Sequence, residues 1–475
     1  MANSRKRRSN DPLAEAARVL SHLDPAGATL SVGLSGGVDS VVLLKLLLTL
    51  RPRFGYALTA IHVNHGLSEN ASAWEEFCVA LCRRWKVPLA VERVRVARSG
   101  SGVEAAARAQ RYRAFAMHAE GALVLAHHLD DQAETMLLQL LRGAGVRGLA
   151  AMQEVSRRSP QVRVPVARPL LTVARADILA YAKRHRLQWV EDESNDVLRY
   201  RRNFLRSRVL PVVGELFPAY RETMARSAAH CSDAADLLDE IGKKDAALGR
   251  DVTRLDCARL RKLSPVRAAN AFRVFLAANG LLAPDSASLR EMLRQLIVAK
   301  SDAGVKLWHD GAELRRYRDT VRIVAPSAAS GSDPVVWNGE AVLDLGAGRG
   351  ALLFRRRGQG MAVDAASLGA AAVSVRQRAG GEKLKPGANR PRRSLKNLLQ
   401  ESGLPPWERE TLPLLYCGEN LVWVPGIGVD ATFQASPGKP KWFVSWQRFN
   451  YTEKQKSRAP RGRTRNKAIA ADGGR

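Results

Sequence analysis

The stretch that decides the fold is TLSVGLSGGVDSVVLLKLLL, residues 29–48. Its pattern predicts an apolar strand at 29–34, a turn of small residues, and an apolar helix at 41–50. In the turn, SGGVDS at 35–40, small side chains let a phosphate approach the backbone, and the amides that open the helix supply hydrogen-bond donors. The GK[ST] ending of a Walker A loop does not follow. The sequence therefore predicts a phosphate-binding loop of another kind.

An aspartate, Asp39, lies inside this loop. A carboxylate and a phosphate repel each other unless a cation lies between them, and Mg²⁺ prefers oxygen ligands. We therefore predict that Asp39 binds Mg²⁺ beside the phosphates. The alternative is a plain strand-to-helix turn without a ligand.

Strands alternate with helices around the loop. Strands are predicted at 58–63, 89–96 and 122–126, and helices at 11–20, 74–85 and 103–119. This alternation is typical of parallel βαβ units and predicts an α/β fold, a doubly wound parallel-sheet domain over residues 1–215. Ligands of such sheets bind beyond the carboxyl ends of the strands, and the motifs of this chain fall at those ends.

Three further regions follow the first domain. Residues 217–299 are rich in Ala, Leu and Arg without strand signals, which predicts a helical domain at 216–325. A linker of small residues precedes short alternating strands, glycines and tryptophans, which predict a small α+β domain at 335–450. The charged tail at 451–475 is expected to be disordered.

The chain of 475 residues carries a net charge of +29, with 75 basic and 46 acidic residues. Four basic residues lie in the first ten positions and eight among the last 23, so most of the excess belongs to the body of the chain. This balance predicts a polyanionic partner.

Five scattered cysteines indicate a reducing compartment. No apolar run is long enough for a membrane span or a signal core, so we expect a cytoplasmic protein without a membrane partner.

A second motif is AHHLDDQAET at 126–135, after the fourth predicted strand. Glu134 follows Asp130 by four residues and Asp131 by three on one helix, and like charges at these spacings destabilise a helix. Beside a phosphate loop they require a cation, either Mg²⁺ or a substrate ammonium. The alternative is a solvated acidic helix start, which the helix dipole favours. For the adjacent His127 and His128 we expect hydrogen bonding or packing rather than metal binding.

Two further sets complete the site. HVNHGL at 62–67 ends the second strand, and Glu104, Arg108, Arg111 and Tyr112 lie on one side of the long fourth helix. Glu104 and Arg108 can form a plain surface ion pair. Facing the same cleft, Arg108 or Arg111 can instead bind a phosphate or a developing negative charge.

The hexapeptide resembles the pyrophosphate-binding loop of the PP-loop ATP pyrophosphatases. Together with HVNHGL, E-x3-R-x2-RY, HHLDDQAET and LLRGAGVRGL in this order, it resembles the tRNA(Ile)-lysidine synthetases. Further matching motifs extend the resemblance to about three-quarters of the chain. They are RPLL at 168–171, EDESN at 191–195, YRRNFLR at 200–206, KLKP at 383–386, R-x-RR-x-LKNLLQESGLPPWER at 390–409 and VWVPGIG at 422–428.

The resemblance implies an ATP-dependent ligase that attaches L-lysine to the 2-position carbon of the wobble cytidine in tRNA(Ile) with a CAU anticodon. ATP adenylates the 2-carbonyl oxygen, and the lysine ε-amine then displaces AMP. Asp131 and Glu134 are implied to bind the lysine α-amino group, and Arg108 or Arg111 to act around the cytosine and the phosphate. With Asp39 and Asp131, these arginines are the predicted catalytic residues. The predicted ATP-binding residues are Ser35, Gly36, Gly37, Val38, Asp39, Ser40 and His62.

Two basic zones suit a tRNA, which is long enough to contact both. Residues 142–208 hold fifteen basic and six acidic residues, and residues 383–396 hold six basic and none acidic. The alternative is that these runs of like charge are only solvent-exposed faces, which is common. The predicted tRNA contacts are Arg201, Arg202, Arg206, Lys383, Lys385, Arg392 and Arg393. We also allow for a homodimer.

Four alternatives stay open from the sequence. A PP-loop tRNA thiolase needs a catalytic cysteine pair, and Cys78 and Cys82 are four apart on a predicted outer helix. A small-molecule amide-forming synthetase conflicts with the basic body of the chain. VLDLGAGRG at 342–350 followed by Asp364 resembles a methyltransferase motif, but its spacing favours a β-hairpin. The fourth alternative is a module that binds without catalysis.

Overall fold

The structure is a computed structural model, described here for residues 10–95, 103–156, 162, 164–193, 201–249, 251–298, 304–324, 333–346 and 349–447. The predicted tail at 451–475 and most of the predicted linker lie outside these residues. The chain forms two compact units, residues 1–241 and 242–475. The domain boundaries predicted at 215, 325 and 450 stay predictions.

The first unit is built on a six-stranded sheet in the order β3-β2-β1-β4-β6-β5. All neighbouring strands pair in parallel except β5 with β6, which are antiparallel. The strands are β1 (Thr29–Gly33), β2 (Ala57–Asn64), β3 (Leu89–Arg93), β4 (Ala122–Val124), β5 (Val155–Ser156) and β6 (Val166–Ala167).

Ten helices accompany this sheet in the described chain: α1 (Pro12–Leu23), α2 (Val38–Phe54), α3 (Ala71–Arg84), α4 (Val103–His118), α5 (Leu129–Leu141), α6 (Val146–Leu149), α7 (Arg175–Arg184), α8 (Arg201–Phe204), α9 (Leu210–Leu216) and α10 (Tyr220–Ala246), the last reaching into the second unit. A π-helix, Leu205–Val209, joins α8 to α9. The α/β prediction is confirmed, and the predicted strands and helices lie within a few residues of their expected bounds.

Burial explains why α2 is apolar on nearly every face. Nine of its side chains are buried against the sheet and the neighbouring helices, so no polar stripe remains. The helix begins at Val38, three residues before the predicted start, because the phosphate loop itself forms its first turn. The helix α1 is capped by Asp11, whose carboxylate accepts the Leu13 amide at 3.3 Å.

The second unit begins with helices and a small sheet. The helices are α11 (Cys257–Arg261), α12 (Pro265–Ala278) and α13 (Ser286–Val298). A four-stranded sheet in the order β7-β10-β9-β8 consists of β7 (Arg254–Asp256), β8 (Lys306–His309), β9 (Ala312–Tyr317) and β10 (Thr320–Val324).

This sheet corrects the expectation of a purely helical region at 216–325. The alternation of β9 is concealed because Arg316 takes an inward position beside Ala312 and Leu314 and is only 2 % exposed. Its guanidinium donates to the Leu296 carbonyl at 2.6 Å and to the Arg318 carbonyl at 2.8 Å. This buried arginine donates hydrogen bonds to carbonyls at a helix end and in a turn. In the sequence, however, an arginine at this position predicts an exposed side chain.

The remainder of the chain is α+β, as predicted. A five-stranded sheet has the order β11-β15-β18-β19-β20, a four-stranded sheet the order β12-β13-β21-β14, and β16 pairs with β17. The strands are β11 (Val335–Trp337), β12 (Val342–Asp344), β13 (Ala351–Arg355), β14 (Val363–Asp364), β15 (Val373–Arg376), β16 (Lys383–Leu384), β17 (Arg393–Ser394), β18 (Leu414–Cys417), β19 (Asn420–Val424), β20 (Gly428–Val429) and β21 (Lys441–Gln447). The helices are α14 (Ala365–Leu368), α15 (Leu395–Glu401), α16 (Pro406–Arg409) and a 3-10 turn, Ala431–Phe433.

The described strands at the two ends of VLDLGAGRG pair as in a β-hairpin, which confirms the expectation from its spacing. Strands β12 and β13 pair antiparallel across it, with Asp344 opposite Ala351. Asp364 caps α14 by accepting the Ser367 amide at 2.9 Å. The strand-to-helix unit of a methyltransferase motif is therefore not formed here. No helix in the described residues is long and apolar enough to cross a membrane.

Candidate active site

The loop after β1 is held in shape by its own serines. The Ser40 hydroxyl donates to the Gly37 carbonyl at 2.9 Å and accepts the Ser35 amide at 3.2 Å. The Ser35 hydroxyl lies 3.2 Å from that of Ser40. Together these bonds form a closed ring around the start of α2. Ser40, at its centre, is 4 % exposed, so water does not compete with them. The loop is thus preorganised, with Gly37 as the N-cap residue of the helix.

Gly36 is required by both conformation and space. Its φ is +89°, a region that L side chains rarely adopt. A Cβ atom there would lie 2.9 Å from Val190 Cγ2 and 3.2 Å from Cys78 Sγ. Its carbonyl also accepts the Val190 amide at 3.0 Å. The residues that follow α7 therefore clamp the loop from outside.

Asp39 lies in the first turn of α2 and has an unused ligand atom. Its Oδ1 is buried without a hydrogen-bond partner, and its Oδ2 lies 3.8 Å from His128 Nε2. Burial raises the pKa of Asp39, His128 opposes this effect, and nearby Asp131 adds to it. A buried carboxylate oxygen that lacks a partner is suited to a cation.

His62 supports the loop from β2. The ring is 4 % exposed, and Nδ1 lies 2.9 Å from the Leu34 carbonyl, so Nδ1 carries the proton and donates. Burial lowers the pKa of His62, which keeps the ring neutral. The structure places this predicted ATP-binding residue against the backbone at the start of the loop.

The acidic motif forms the N-terminus of α5, and His128 organises it. The Asp131 amide donates to His128 Nδ1 at 3.3 Å, and the His128 amide donates to Asp131 Oδ2 at 3.1 Å, which is a capping box. The proton therefore resides on His128 Nε2, which lies 3.5 Å from Asp131 Oδ2 and 3.8 Å from Asp39 Oδ2. The histidine thus lies between the loop carboxylate and the acidic motif.

Arg206 binds the acidic pair directly. Its Nε lies 2.5 Å from Glu134 Oε1, and its Nη2 lies 3.0 Å from both Glu134 Oε2 and Asp131 Oδ1. Glu134 is fully buried, and Arg206 keeps 36 % of its side chain exposed. Burial raises the pKa of Glu134 while Arg206 opposes this effect, and the pKa of Arg206 is raised by its carboxylate partners against the cost of burial. The structure thus assigns Arg206, a predicted tRNA contact, to the acidic motif.

Asp130 lies at the edge of this cluster, with Oδ2 3.8 Å from His128 Nδ1, and its carboxylate has partners of its own. Its carboxylate accepts the Arg175 amide at 2.9 Å and pairs with the Arg221 guanidinium. Arg206 therefore binds Asp131 and Glu134 but not Asp130.

The charges of Arg202 and Arg175 also act on the carboxylates of this cluster, and burial raises the pKa of Asp39 and Glu134. When all three carboxylates (Asp39, Asp131 and Glu134) are ionised, Arg206 is the one guanidinium of the described chain bonded to them, so a further cation is favoured beside it.

Arg108 and Arg111 lie on α4 with exposed side chains. The Arg108 guanidinium lies 5.0 Å from the centre of the Tyr112 ring, with Nη2 3.3 Å from its hydroxyl. Burial and the charge of Arg111 lower the pKa of His65 to about 4. Burial likewise lowers the pKa of His127 to about 3, and Arg108 contributes. The positive charges of both arginines thus act on the histidine motifs. The Glu104 side chain is outside the described structure.

The other predicted tRNA contacts are distributed as follows. In the first unit, Arg201 is exposed and Arg202 donates to the Thr135 hydroxyl at 2.6 Å. In the second unit, Lys383 is exposed and Lys385 is half-buried. The Arg392 guanidinium lies 3.5 Å from Asp430, and Arg393 donates to Glu401 at 3.0 Å.

The cysteines of α3 are packed in the core. Cys78 and Cys82 are 0 % and 1 % exposed, and burial raises the pKa of their thiols to about 12 and 11. Such thiols stay protonated near neutral pH and are poor nucleophiles. Both cysteines lie on the buried face of α3, where Cys78 packs beneath Gly36.

The hydrogen bonding and packing expected for His128 are found in the capping box of α5. Sequence reasoning groups Arg206 with the basic surface and misses its bonds to the acidic motif. The available signal was the need of the acidic motif for a cation, together with an arginine-rich segment that ends the domain. No group of three or more His, Cys, Asp or Glu side chains in the described chain is arranged to hold a metal.

Three family descriptions match the chain: a PP-loop domain at residues 12–213, a TilS substrate binding domain at 255–322 and a TilS substrate C-terminal domain at 373–446. The tRNA(Ile)-lysidine synthase of Nitrosomonas europaea is 44% identical over 422 residues, covering 88% of this chain and 92% of the relative. The protein of the same name from an Azoarcus species is 42% identical over 443 residues, covering 92% and 95%.

Among solved structures, the U34-tRNA thiolase NcsA from Methanococcus maripaludis is similar with a TM-score of 0.39 at 19% identity, covering 46% of this chain and 77% of that chain. A likeness this weak carries no argument.

Proposed function

The chain belongs to the tRNA(Ile)-lysidine synthase family of PP-loop ligases, and from this premise we propose that it joins L-lysine to the wobble cytidine of tRNA(Ile) at the cost of ATP. The observation that supports the proposal best is the juxtaposition of a preorganised phosphate loop with Asp131 and Glu134, with His128 between Asp131 and Asp39. An anion site beside a cation site suits ATP and an amino acid.

The loop is proposed to hold the ATP phosphates. The amides of residues 35–40 lie at the positive end of the α2 dipole, where anions are stabilised. The rigid serine ring makes the loop ready for the ligand, so little entropy is lost on binding. His62 fixes the entry to the loop through the Leu34 carbonyl.

Asp39 fits a Mg²⁺ ion because its Oδ1 is buried without a partner. Mg²⁺ in nucleotide sites is commonly held by one or two carboxylates together with substrate phosphates, which agrees with a single available protein ligand. When bound, the ion would neutralise negative charge that develops on the phosphates. Asp39 would hold and orient it.

Asp131 and Glu134 are proposed to bind the α-ammonium group of lysine. The ionised carboxylates of the cluster outnumber the guanidinium bonded to them, so they attract a further cation. The ammonium would lie beside Asp131, which has the weaker of the two contacts to Arg206, while Glu134 keeps its two bonds to that guanidinium.

The chemistry proceeds in two displacements. The cytidine 2-carbonyl oxygen attacks the α-phosphorus of ATP, an O–P bond forms, and pyrophosphate leaves. The neutral ε-amine of lysine then attacks carbon 2, a C–N bond forms, AMP leaves with the former carbonyl oxygen, and the amine gives up a proton. Arg108 and Arg111 are proposed to stabilise negative charge on the α-phosphate in both steps.

Basic side chains of both units are proposed to bind the tRNA backbone. Arg201 and Arg202 precede the site in the first unit. Lys383, Lys385, Arg392 and Arg393 contribute in the second unit, where the carboxylate neighbours of the two arginines reduce their share. Such binding weakens steeply as salt rises.

The test is incubation with ATP, labelled lysine and a CAU-anticodon tRNA(Ile) transcript, followed by nucleoside analysis with each component omitted in turn. We expect lysidine only in the complete mixture. Pyrophosphate release that is indifferent to tRNA would contradict the proposal.

Adjacent carboxylates provide a matched pair of variants. D131N should raise the KM for lysine about 10- to 100-fold, since a charged hydrogen bond is lost. D130N removes a carboxylate that faces Arg175 and Arg221 and should leave this KM unchanged. Equal effects of the two variants would show that Asp131 is not the lysine contact.

A further inference from the structure

The second unit contains a basic pocket between its small sheet and the corner that joins α15 to α16. The cavity has a volume of about 190 Å³. The side chains that line it include Arg254 from β7, Arg318 from the β9–β10 turn, and Thr320 and Arg322 from β10. We propose that this pocket binds one phosphate group of the tRNA backbone, a proposal that depends on the proposed function only for the identity of the polyanion.

The charges of the pocket require an anion. Arg254 and Arg322 are directly opposite each other on the antiparallel strands β7 and β10, where like charges destabilise a sheet. Glu408 pairs with Arg322 and compensates one of these charges. Arg318 adds another positive group, and none of the described residues that line the pocket is acidic. Two positive charges therefore face the cavity after Glu408 is counted.

One side of the pocket is held in place by contacts within the second unit. Glu408 is buried and holds the Arg322 guanidinium. The Tyr317 hydroxyl accepts a hydrogen bond from Arg409 Nη2 at 2.9 Å, and the Arg318 guanidinium lies 5.4 Å from the centre of the Tyr317 ring. Arg254 and Arg318 are exposed beside this fixed side, and a guanidinium fork suits the oxygens of a phosphate.

Gly403 provides the opening on the opposite side. Its φ is +74°, and a Cβ there would lie 3.8 Å from Arg318 Nη1. Gly403 thus lies next to the Arg318 guanidinium at the α15 end of the pocket. The Thr320 hydroxyl is a further donor among the lining residues.

Size and lining favour a phosphate of a polymer over a free small molecule. Pockets for small ligands usually measure about 300–1,000 Å³ and are mostly apolar. This cavity is smaller, and three of its seven lining residues are arginines, so a nucleotide base would find little space there. A backbone phosphate needs only the charged groups.

The experiment measures binding of a CAU-anticodon tRNA(Ile) transcript to the full chain by fluorescence anisotropy over a KCl series, without ATP or lysine. The double variant R254Q/R318Q should bind about tenfold more weakly at 150 mM KCl. The slope of log K against log [KCl] should fall by about 1, the value for one lost phosphate contact.

The matched control is R290Q/R294Q on α13, which changes the net charge equally. Arg290 donates to the Ser286 carbonyl of its own helix and Arg294 pairs with Glu291, both on the surface. This control should keep the affinity and slope of the wild type. A loss as large as that of R254Q/R318Q would show that only net charge matters and would overturn the proposal.

A second pair of variants tests the pocket if the double variant does not fold. T320E places a carboxylate among the arginines and should weaken tRNA binding, whereas the neutral T320Q should bind like the wild type. Unchanged affinity and slope in folded T320E, or in folded R254Q/R318Q, would refute the proposal.

Titration with inorganic phosphate separates the two sources of the anion. We expect that inorganic phosphate does not saturate the pocket of the wild-type chain at concentrations below the millimolar range. Submicromolar phosphate binding that R254Q/R318Q abolishes, with tRNA affinity unchanged, would assign the pocket to a free anion instead. None of these measurements involves ligation. A failure to form lysidine would therefore contradict the proposed function, whereas the binding measurements alone decide whether the pocket holds a phosphate.

Discussion

Replacement of Arg206 by alanine tests the arrangement of the acidic pair. The change removes three N–H···O contacts and leaves the fully buried Glu134 carboxylate without its cation. Loss of one partner from a buried ion pair costs about 3–5 kcal/mol. Because the Arg206 side chain is 36 % exposed, water can replace part of the contact with Asp131. We therefore expect R206A to lower the free energy of unfolding by about 3 kcal/mol at pH 8, the lower end of that range.

The pH dependence of this loss has a definite sign. Burial raises the pKa of Glu134, and removal of Arg206 raises it further. A carboxyl group with a raised pKa in the folded state favours folding at low pH, and this contribution is lost as the pH rises through that pKa. The destabilisation by R206A should therefore be smaller at pH 5 than at pH 8. Urea unfolding followed by circular dichroism at both pH values measures it.

Two controls make the result decisive. R208A removes an exposed arginine from the same π-helix and should change stability by less than about 0.5 kcal/mol. E134Q in the R206A background should recover stability, since a neutral amide needs no countercharge. If R206A matches R208A, or if the double variant is no more stable than R206A, the pairing of Arg206 with Glu134 is not the contact described here.

Three further predictions concern the loop and its supports. G36A should lower the affinity for ATP at least tenfold in an equilibrium binding assay, because its φ of +89° and the 2.9 Å approach to Val190 exclude a Cβ; unchanged affinity would mean that the loop adapts. H128A should lower the melting temperature and the rate of lysidine formation, while H128N, which can keep the helix cap, should recover the melting temperature alone; full recovery of the rate by H128N would limit His128 to capping. C78S/C82S should still form lysidine while losing thermal stability, since both thiols are core groups; loss of all activity in a folded double variant would indicate sulfur chemistry.

The alternation of strands and helices and the phosphate loop could be predicted because their causes are local. A buried parallel strand is apolar throughout, and a glycine and serine turn before an apolar helix is constrained by backbone geometry alone. The same holds for the hairpin at VLDLGAGRG, where short strands and closely spaced glycines leave no room for a helix. The small sheet around β9 was missed because a buried arginine interrupts the apolar pattern, and the pattern is the signal on which prediction relies.

For this protein, the sequence by itself determined the parallel sheet, the position of its phosphate loop and the need of the acidic motif for a cation. Only the tertiary structure decided which groups meet that need. Asp131 and Glu134 turn toward Arg206, about 70 positions away in the chain, while neighbouring Asp130 turns toward Arg175 and Arg221. The physical reason is that an ion pair depends on distance in space and on the loss of water around its members, and neither is written in the spacing of residues along the chain.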